Sequence, residues 1–271
     1  MNKHSQDIFF EKYLSGKELF GDNFTQEQIN EWYEDEINSG YENLVFSKDI
    51  IYEYEYHALN IFHGFDHIKF DVDGLECLCF GSPSGDEVIP ILNKIKTLDL
   101  LDASDGFNKI ANVPIHYSKP NSSGAMPYQD DSFDLITCIG VLHHIPNVSY
   151  VISELRRVLR PGGYILIREP ITSMGDWRSK RQNVTLRERG IPEKIFIDVV
   201  ANNFKNIKVS YCVFPPLQKL SNFFKLKPYL SKKIVYIDYF FSTLFSFNSK
   251  YHRTNFLSKF APASLYIVCQ K

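Results

Sequence analysis

Between Leu75 and Leu92 the chain reads LECLCFGSPSGDEVIPIL, and this stretch limits the fold more than any other. Cys77, Leu78, Cys79 and Phe80 suit a buried strand, and Gly81 to Gly85 cannot continue it. Val88, Ile89 and Leu92 then recur at helical spacing, with Asp86 and Glu87 in the first turn, where the helix dipole favours acids. A strand that turns sharply into a helix directs backbone N–H groups outward, and small residues let a ligand approach the chain. A purely structural turn has the same local signature, so the elements that follow decide between the two readings.

Those elements keep the order of an open α/β sheet. Thr97–Asp102 reads as a second strand and Pro114–Tyr117 as a short third. Phe133–Ile139 is almost wholly apolar after Asp134, as a central strand covered on both faces should be. Gly140 ends it, Asn147 opens a helix with Val148, Val151, Ile152, Leu155, Val158 and Leu159 as its apolar positions, and Pro161-Gly162-Gly163 stops that helix. Tyr164–Arg168 is the fifth strand, Ile191–Asn203 a helix, and Lys208–Phe214 and Leu265–Gln270 the last two strands. Asp102 lies 17 residues beyond Gly85, near the separation at which such sheets place an acid to bind the hydroxyls of a ribose.

The two remaining regions differ in charge. Residues 1–66 hold 14 Asp/Glu against 4 Lys/Arg, whereas residues 215–262 hold 8 Lys/Arg against the single Asp238. The first reads as a helical N-terminal cap. Thr25 and Gln28 form its capping box, Ile29, Trp32, Tyr33 and Ile37 its apolar stripe, and a second helix is expected over Lys48–Phe62. The second reads as an aromatic-rich helical insertion before the last strand: a substrate lid, a dimer contact or a lipid-surface helix. Ile234, Tyr236, Ile237, Phe240, Phe241, Leu244 and Phe245 spread too broadly for a clean amphipathic helix, which predicts burial. The core is then 67–214 with 263–271. The five cysteines lack metal-site spacing, which predicts buried reduced thiols and no metal. No segment is apolar and long enough to span a bilayer, so a cytoplasmic protein without a nucleic-acid partner is expected.

Together, the glycine turn, Asp102, Met126-Pro127-Tyr128 with Ser132-Phe133-Asp134, Leu142-His143-His144-Ile145 and Leu159-Arg160-Pro161-Gly162-Gly163 resemble the class I S-adenosylmethionine-dependent methyltransferases. The resemblance covers about residues 70–214, with the last strand. It implies a Rossmann-like, doubly wound seven-stranded sheet with an antiparallel last strand, and S-adenosylmethionine as cofactor across the carboxyl ends of the first four strands. The cofactor contacts so implied are Gly81, Ser82, Pro83, Gly85, Asp102, Ala103, Ser123, Gly124, Ile139 and Gly140. The chain departs from the family in having Cys79 where an acid is usual, Pro83 where a central glycine is usual, and Ser122 near the usual aspartate for the adenine amine. Ser122, Ser123 or the loop backbone is then expected to hold that amine.

Methyl transfer needs alignment and, for a hydroxyl acceptor, a base. His143 and His144, at the carboxyl edge of the fourth strand, are the candidate bases, with a core histidine as the bland alternative; Glu169, ending the fifth strand, is a further acceptor-side candidate. Arg178 and Arg181, in a basic loop from Asp176 to Arg189, are candidates for an acceptor bearing phosphate or carboxylate. The expected activity is methyl transfer to a small-molecule acceptor carrying a hydroxyl, sugar or phosphate. The rivals are a non-catalytic member that keeps the fold and binds cofactor or partner, and a nicotinamide-dependent dehydrogenase, which the missing middle glycine disfavours. A homodimer remains one reading of the insertion.

Overall fold

The computed structural model describes residues 3–38, 53–69, 74–104, 110, 113–181 and 184–271. Helices α1 (Lys3–Leu14), α2 (Gln26–Asn38) and α3 (His57–His63) precede the sheet. Strands β1 (Leu75–Phe80), β2 (Ile95–Leu101), β3 (Ile115–Ser118) and β4 (Phe133–Ile139) follow, then α4 (Val148–Val158), β5 (Leu159–Pro170), α5 (Glu193–Asn203), β6 (Lys205–Cys212), α6 (Pro215–Phe223), α7 (Lys232–Leu244) and β7 (Ser264–Gln270).

The seven strands form one sheet in the order β3-β2-β1-β4-β5-β7-β6. Pairs from β3 across to β5 are parallel, while β7 runs antiparallel to both β5 and β6. Leu78, Leu135, Ile136, Ile165, Leu166 and Ile267 are fully buried, because helices cover both faces and a strand enclosed twice must be apolar on both sides. One face packs α4 and α5; the other packs α3, α7 and the short helix Asp86–Lys94. All five cysteines are buried and unpaired.

Several boundaries move from the sequence reading. Asp86–Lys94 is a 3₁₀ helix holding Pro90, so burial falls at Val88 and Ile91, three residues apart, and leaves Ile89 exposed. Strand β5 starts at Leu159 and takes in Pro161-Gly162-Gly163, since the chain leaves α4 in extended conformation at Leu159 and pairs at once with Phe133. Strand β6 runs Lys205–Cys212. Of the helix expected over Lys48–Phe62, residues 48–52 lie outside the described residues, residues 53–56 are not helical, and α3 supplies the rest.

The expected burial of the α7 aromatics is corrected. Val235, Asp238 and Ser242 are the buried residues of α7, while Tyr236, Ile237, Phe240, Phe241 and Leu244 are exposed. The cause is Asp238: its carboxylate accepts the N–H groups of Val213 (2.8 Å) and Phe214 (2.7 Å), which turns that face of the helix toward the end of β6.

The N-terminal segment is fastened along the carboxyl edge of the sheet. The capping box forms as expected, Thr25 N–H donating to Gln28 Oε1 (2.9 Å) and Gln28 N–H to Thr25 Oγ1 (3.4 Å). Asp22 accepts the N–H and hydroxyl of Ser149 and so caps the first turn of α4. Trp32, buried, donates its indole N–H to the His144 carbonyl (2.7 Å). Arg178 pairs with Asp7 and Glu11, and Arg187 with Asp35, so the basic loop meets the acidic helices. Lys227 pairs with Glu53 and Glu55.

Candidate active site

Gly81 ends β1 at φ +70° and donates its N–H to the Leu101 carbonyl (2.8 Å), which ties the ends of β1 and β2 together. A Cβ at this position would overlap the Val141 side chain, so glycine lets the loop after β4 close against the turn. Beyond it, Ser82 accepts the Gly85 N–H (3.1 Å) and donates to Glu87 (2.7 Å), whose other oxygen accepts the Thr137 hydroxyl. Two of the turn's N–H groups are therefore already bonded internally, which does not suit a dinucleotide's pyrophosphate.

A cleft open to solvent lies over the ends of β1, β2 and β4. Gly81, Asp102, Ala103, Ser122, Gly124 and Val141 form its floor and one side. Ile29, Tyr33 and Ile37 come down from α2, and His144, Ile145 and Pro146 close the far wall. The stripe seen in the sequence thus divides: Ile29, Tyr33 and Ile37 reach the cleft, and Trp32 points into the core.

Asp102 follows β2 and is almost fully enclosed. Its Oδ1 accepts both the N–H (2.8 Å) and the hydroxyl (2.6 Å) of Ser104, whereas its Oδ2 is buried without a hydrogen-bond partner. Burial raises its pKa, the Ser104 donors opposing. An orphan carboxylate oxygen of this kind is costly unless something satisfies it. A ribose hydroxyl at the cleft floor is a donor of the right kind, so the residues present fit the cofactor implied by the sequence.

The loop carrying Ser122 and Gly124 is held from α4. Arg157 pairs with Glu154 and Asp130 and donates to the carbonyls of Met126 and Tyr128, while Glu154 accepts the Met126 N–H. Ser122 faces the cleft; Ser123 Oγ instead accepts the Ala125 N–H, and its carbonyl accepts from Asn147.

The two histidines have different surroundings. His143 is buried, with Nδ1 at 2.7 Å from Glu169 and Nε2 at 3.4 Å from Glu188. Burial works against its charge, but the two carboxylates prevail and lift its pKa to about 9. Glu188, despite burial, is held down at about 2 by the same partner and its neighbours. His143 is therefore an imidazolium at neutral pH and has no lone pair for a proton. His144, lining the cleft, goes the other way: burial and the His143 charge lower its pKa. Its Nδ1 sits 2.8 Å from Glu36 Oε2. Glu36 also accepts the Thr185 hydroxyl and the Arg187 N–H, so it serves as a carboxylate acceptor, the Nδ1 proton is the donor, and the basic lone pair is on Nε2.

The other candidates take different places. Glu169 is fully buried and accepts the N–H groups of Val141 and Leu142 (2.7 Å each) and His143 (3.3 Å), so it caps the loop after β4. Arg181 donates to the carbonyls of Thr185, Leu186 and Glu188, and Arg178 chelates Asp176. Ser82, Pro83, Gly85, Ser123, Ile139 and Gly140 do not line the cleft. His143, His144 and Glu188 offer ligand atoms within 4.8 Å of one another, but the His143 nitrogens are both turned to carboxylates. The sequence reading missed Arg168, whose guanidinium lies 4.1 Å from the Tyr56 ring centroid with Nη1 buried and unpartnered, close to Gly140. A lone charge at a strand end gave no sign of that.

Residues 78–167 match the model of a methyltransferase domain family. The phthiotriol/phenolphthiotriol dimycocerosates methyltransferase 1 of Mycobacterium ulcerans is 33% identical over 87 residues, 31% of this chain and 32% of that protein. The demethylmenaquinone methyltransferase of Bacillus cereus is 29% identical over 103 residues, 37% of this chain and 42% of that one. The chain thus spans less than half the length of these curated relatives. A putative S-adenosylmethionine-dependent methyltransferase from Listeria monocytogenes shares the fold with a TM-score of 0.50 and 12% identity, over 79% of this chain and 99% of its own. Residues 78–167 are thus similar to a methyltransferase domain, in a chain whose fold matches that of a putative S-adenosylmethionine-dependent methyltransferase.

Proposed function

We propose that the whole chain is a methyltransferase that binds S-adenosylmethionine in the α2-covered cleft and methylates a hydroxyl of a small, largely apolar acceptor. The observation that carries the reading is Asp102, one oxygen fixed by Ser104 and the other buried, unpartnered and at the cleft floor. The bound cofactor would supply an electrophilic sulfonium methyl. The chain's own residues do the rest. Asp102 holds ribose hydroxyls, Ser122 and the loop backbone face the adenine end, and Ile29, Tyr33 and Ile37 keep water out. His144 takes the acceptor proton at Nε2 while Glu36 holds the ring from Nδ1. Imidazolium His143, between Glu169 and Glu188, keeps the loop shape.

An apolar acceptor is supported by the Ile29, Ile37, Phe80, Leu101, Val141 and Ile145 lining, and by the names of the mycobacterial and bacillar relatives. The test is release of S-adenosylhomocysteine against a panel of hydroxylated, phosphorylated and carboxylated compounds. Turnover on a hydroxylated apolar compound supports the reading. Cofactor binding with no turnover on any of them favours the non-catalytic member instead.

A further inference from the structure

The insertion between β6 and β7 carries its apolar side chains outward. On α7 the buried Val235, Asp238 and Ser242 define the inner face, and Ile237, Phe240, Phe241 and Leu244, at helical spacing, define an outer one. Beyond it Phe247 is 83% exposed and Phe256 71%, and on α6 Phe223 is 80% exposed. Ring contacts run from Phe240 to Phe241, Phe245 and Phe260 and on to Phe256, so α7 and the turns after it present one continuous surface. Helix α6 packs against the Leu257–Phe260 turn and extends it. No residue of 215–262 lines the cleft, so this surface does not cover the candidate active site.

Its charge has one sign. Lys219, Lys225, Lys232, Lys233, Lys250 and Lys259 are exposed, and the single acid of the insertion, Asp238, is enclosed by the Val213 and Phe214 amides. Monomeric proteins rarely expose so much contiguous apolar surface without using it. A two-fold contact between copies would bring the same lysines face to face, and residues 215–262 themselves have no exposed acid to receive them. A lipid surface with anionic headgroups suits both features, because aromatic rings enter the acyl boundary and lysines stay at the phosphates.

We infer that α6, α7 and the turns to Phe260 form a docking surface for an anionic membrane, on which the protein lies peripherally. The inference goes beyond the proposed reaction and does not depend on it.

The experiment is co-sedimentation of the full chain with phosphatidylcholine vesicles, with and without phosphatidylserine. Binding is expected to the phosphatidylserine vesicles, weakened by salt, with little to phosphatidylcholine alone. Lys232→Glu with Lys233→Glu should cost roughly five-fold in affinity per lysine or more. Lys194→Glu, on α5, should change it little. Phe240→Gln with Phe247→Gln should abolish binding while the melting curve is kept; should that pair fail to fold, Phe247→Gln alone still tests the surface. Absence of binding to either vesicle overturns the inference, as does binding equal in Lys232→Glu/Lys233→Glu and Lys194→Glu. A dimer that Phe240→Gln/Phe247→Gln disperses, with no lipid binding, would overturn it in favour of a self-contact.

Discussion

Glu36, on α2, accepts from Nδ1 of His144 at 2.8 Å across 108 residues of chain. The contact joins the N-terminal segment to the loop after β4 and fixes which ring nitrogen carries the lone pair. His144→Ala should lower turnover by about 10²–10⁴-fold and leave cofactor affinity nearly intact. Because burial and the His143 charge keep His144 neutral, the acid limb of the rate profile should lie below the ordinary imidazole pKa. Glu36→Gln removes a group that favours the charged ring and should move the limb lower still. A limb unmoved in Glu36→Gln would separate Glu36 from the base.

His143 has a folded pKa near 9, raised above the ordinary 6.5 by Glu169 and Glu188 against the burial cost. Its contribution to stability is then complete below pH 6.5 and is lost as pH rises through 9. The shift corresponds to roughly 3 kcal/mol at most. Denaturant unfolding between pH 6 and pH 9.5 should show this slope, and His143→Gln should flatten it. The same slope in the variant would place its origin elsewhere.

Gly81 has no room for a side chain. Gly81→Ala forces a left-handed backbone costing about 1–2 kcal/mol and drives a methyl into Val141. The melting temperature should fall, and cofactor affinity with it, since Val141 lines the cleft. A fully stable Gly81→Ala would mean that the turn is looser than it looks.

Arg168→Met keeps much of the side chain's bulk over Tyr56 and removes a buried guanidinium whose Nη1 has no partner. Because Arg168 does not line the cleft, acceptor KM and cofactor Kd should both stay near wild type. A rise in either would bring Arg168 into the site.

The sheet was legible because its central strands are apolar on both faces: Cys77–Phe80 and Phe133–Ile139 admit few other readings. The place of Asp102 just after the second strand was legible from the sequence pattern. Other features depended on which way an element faces, which hydrophobic spacing does not encode. Tyr33 and Trp32 are adjacent in sequence, yet one lines the cleft and the other donates to the His144 carbonyl. Phe240 read as core, but the Asp238 carboxylate, bonded to the amides after β6, turned the helix over. Glu169 and Arg181 carried the right chemistry at plausible positions; backbone groups invisible in a sequence claimed both.

Asp102 tests the account most directly. Calorimetry with S-adenosylmethionine and S-adenosylhomocysteine on wild type and Asp102→Ala should show both ligands binding, with affinity about ten-fold or more lower in the variant, as the loss of a charge-assisted contact worth roughly 1.5–3 kcal/mol requires. The variant should otherwise fold as well as wild type, because it also removes the unpartnered Oδ2. Equal affinities in the two proteins, or no binding to wild type, would contradict the placement of the cofactor in this cleft.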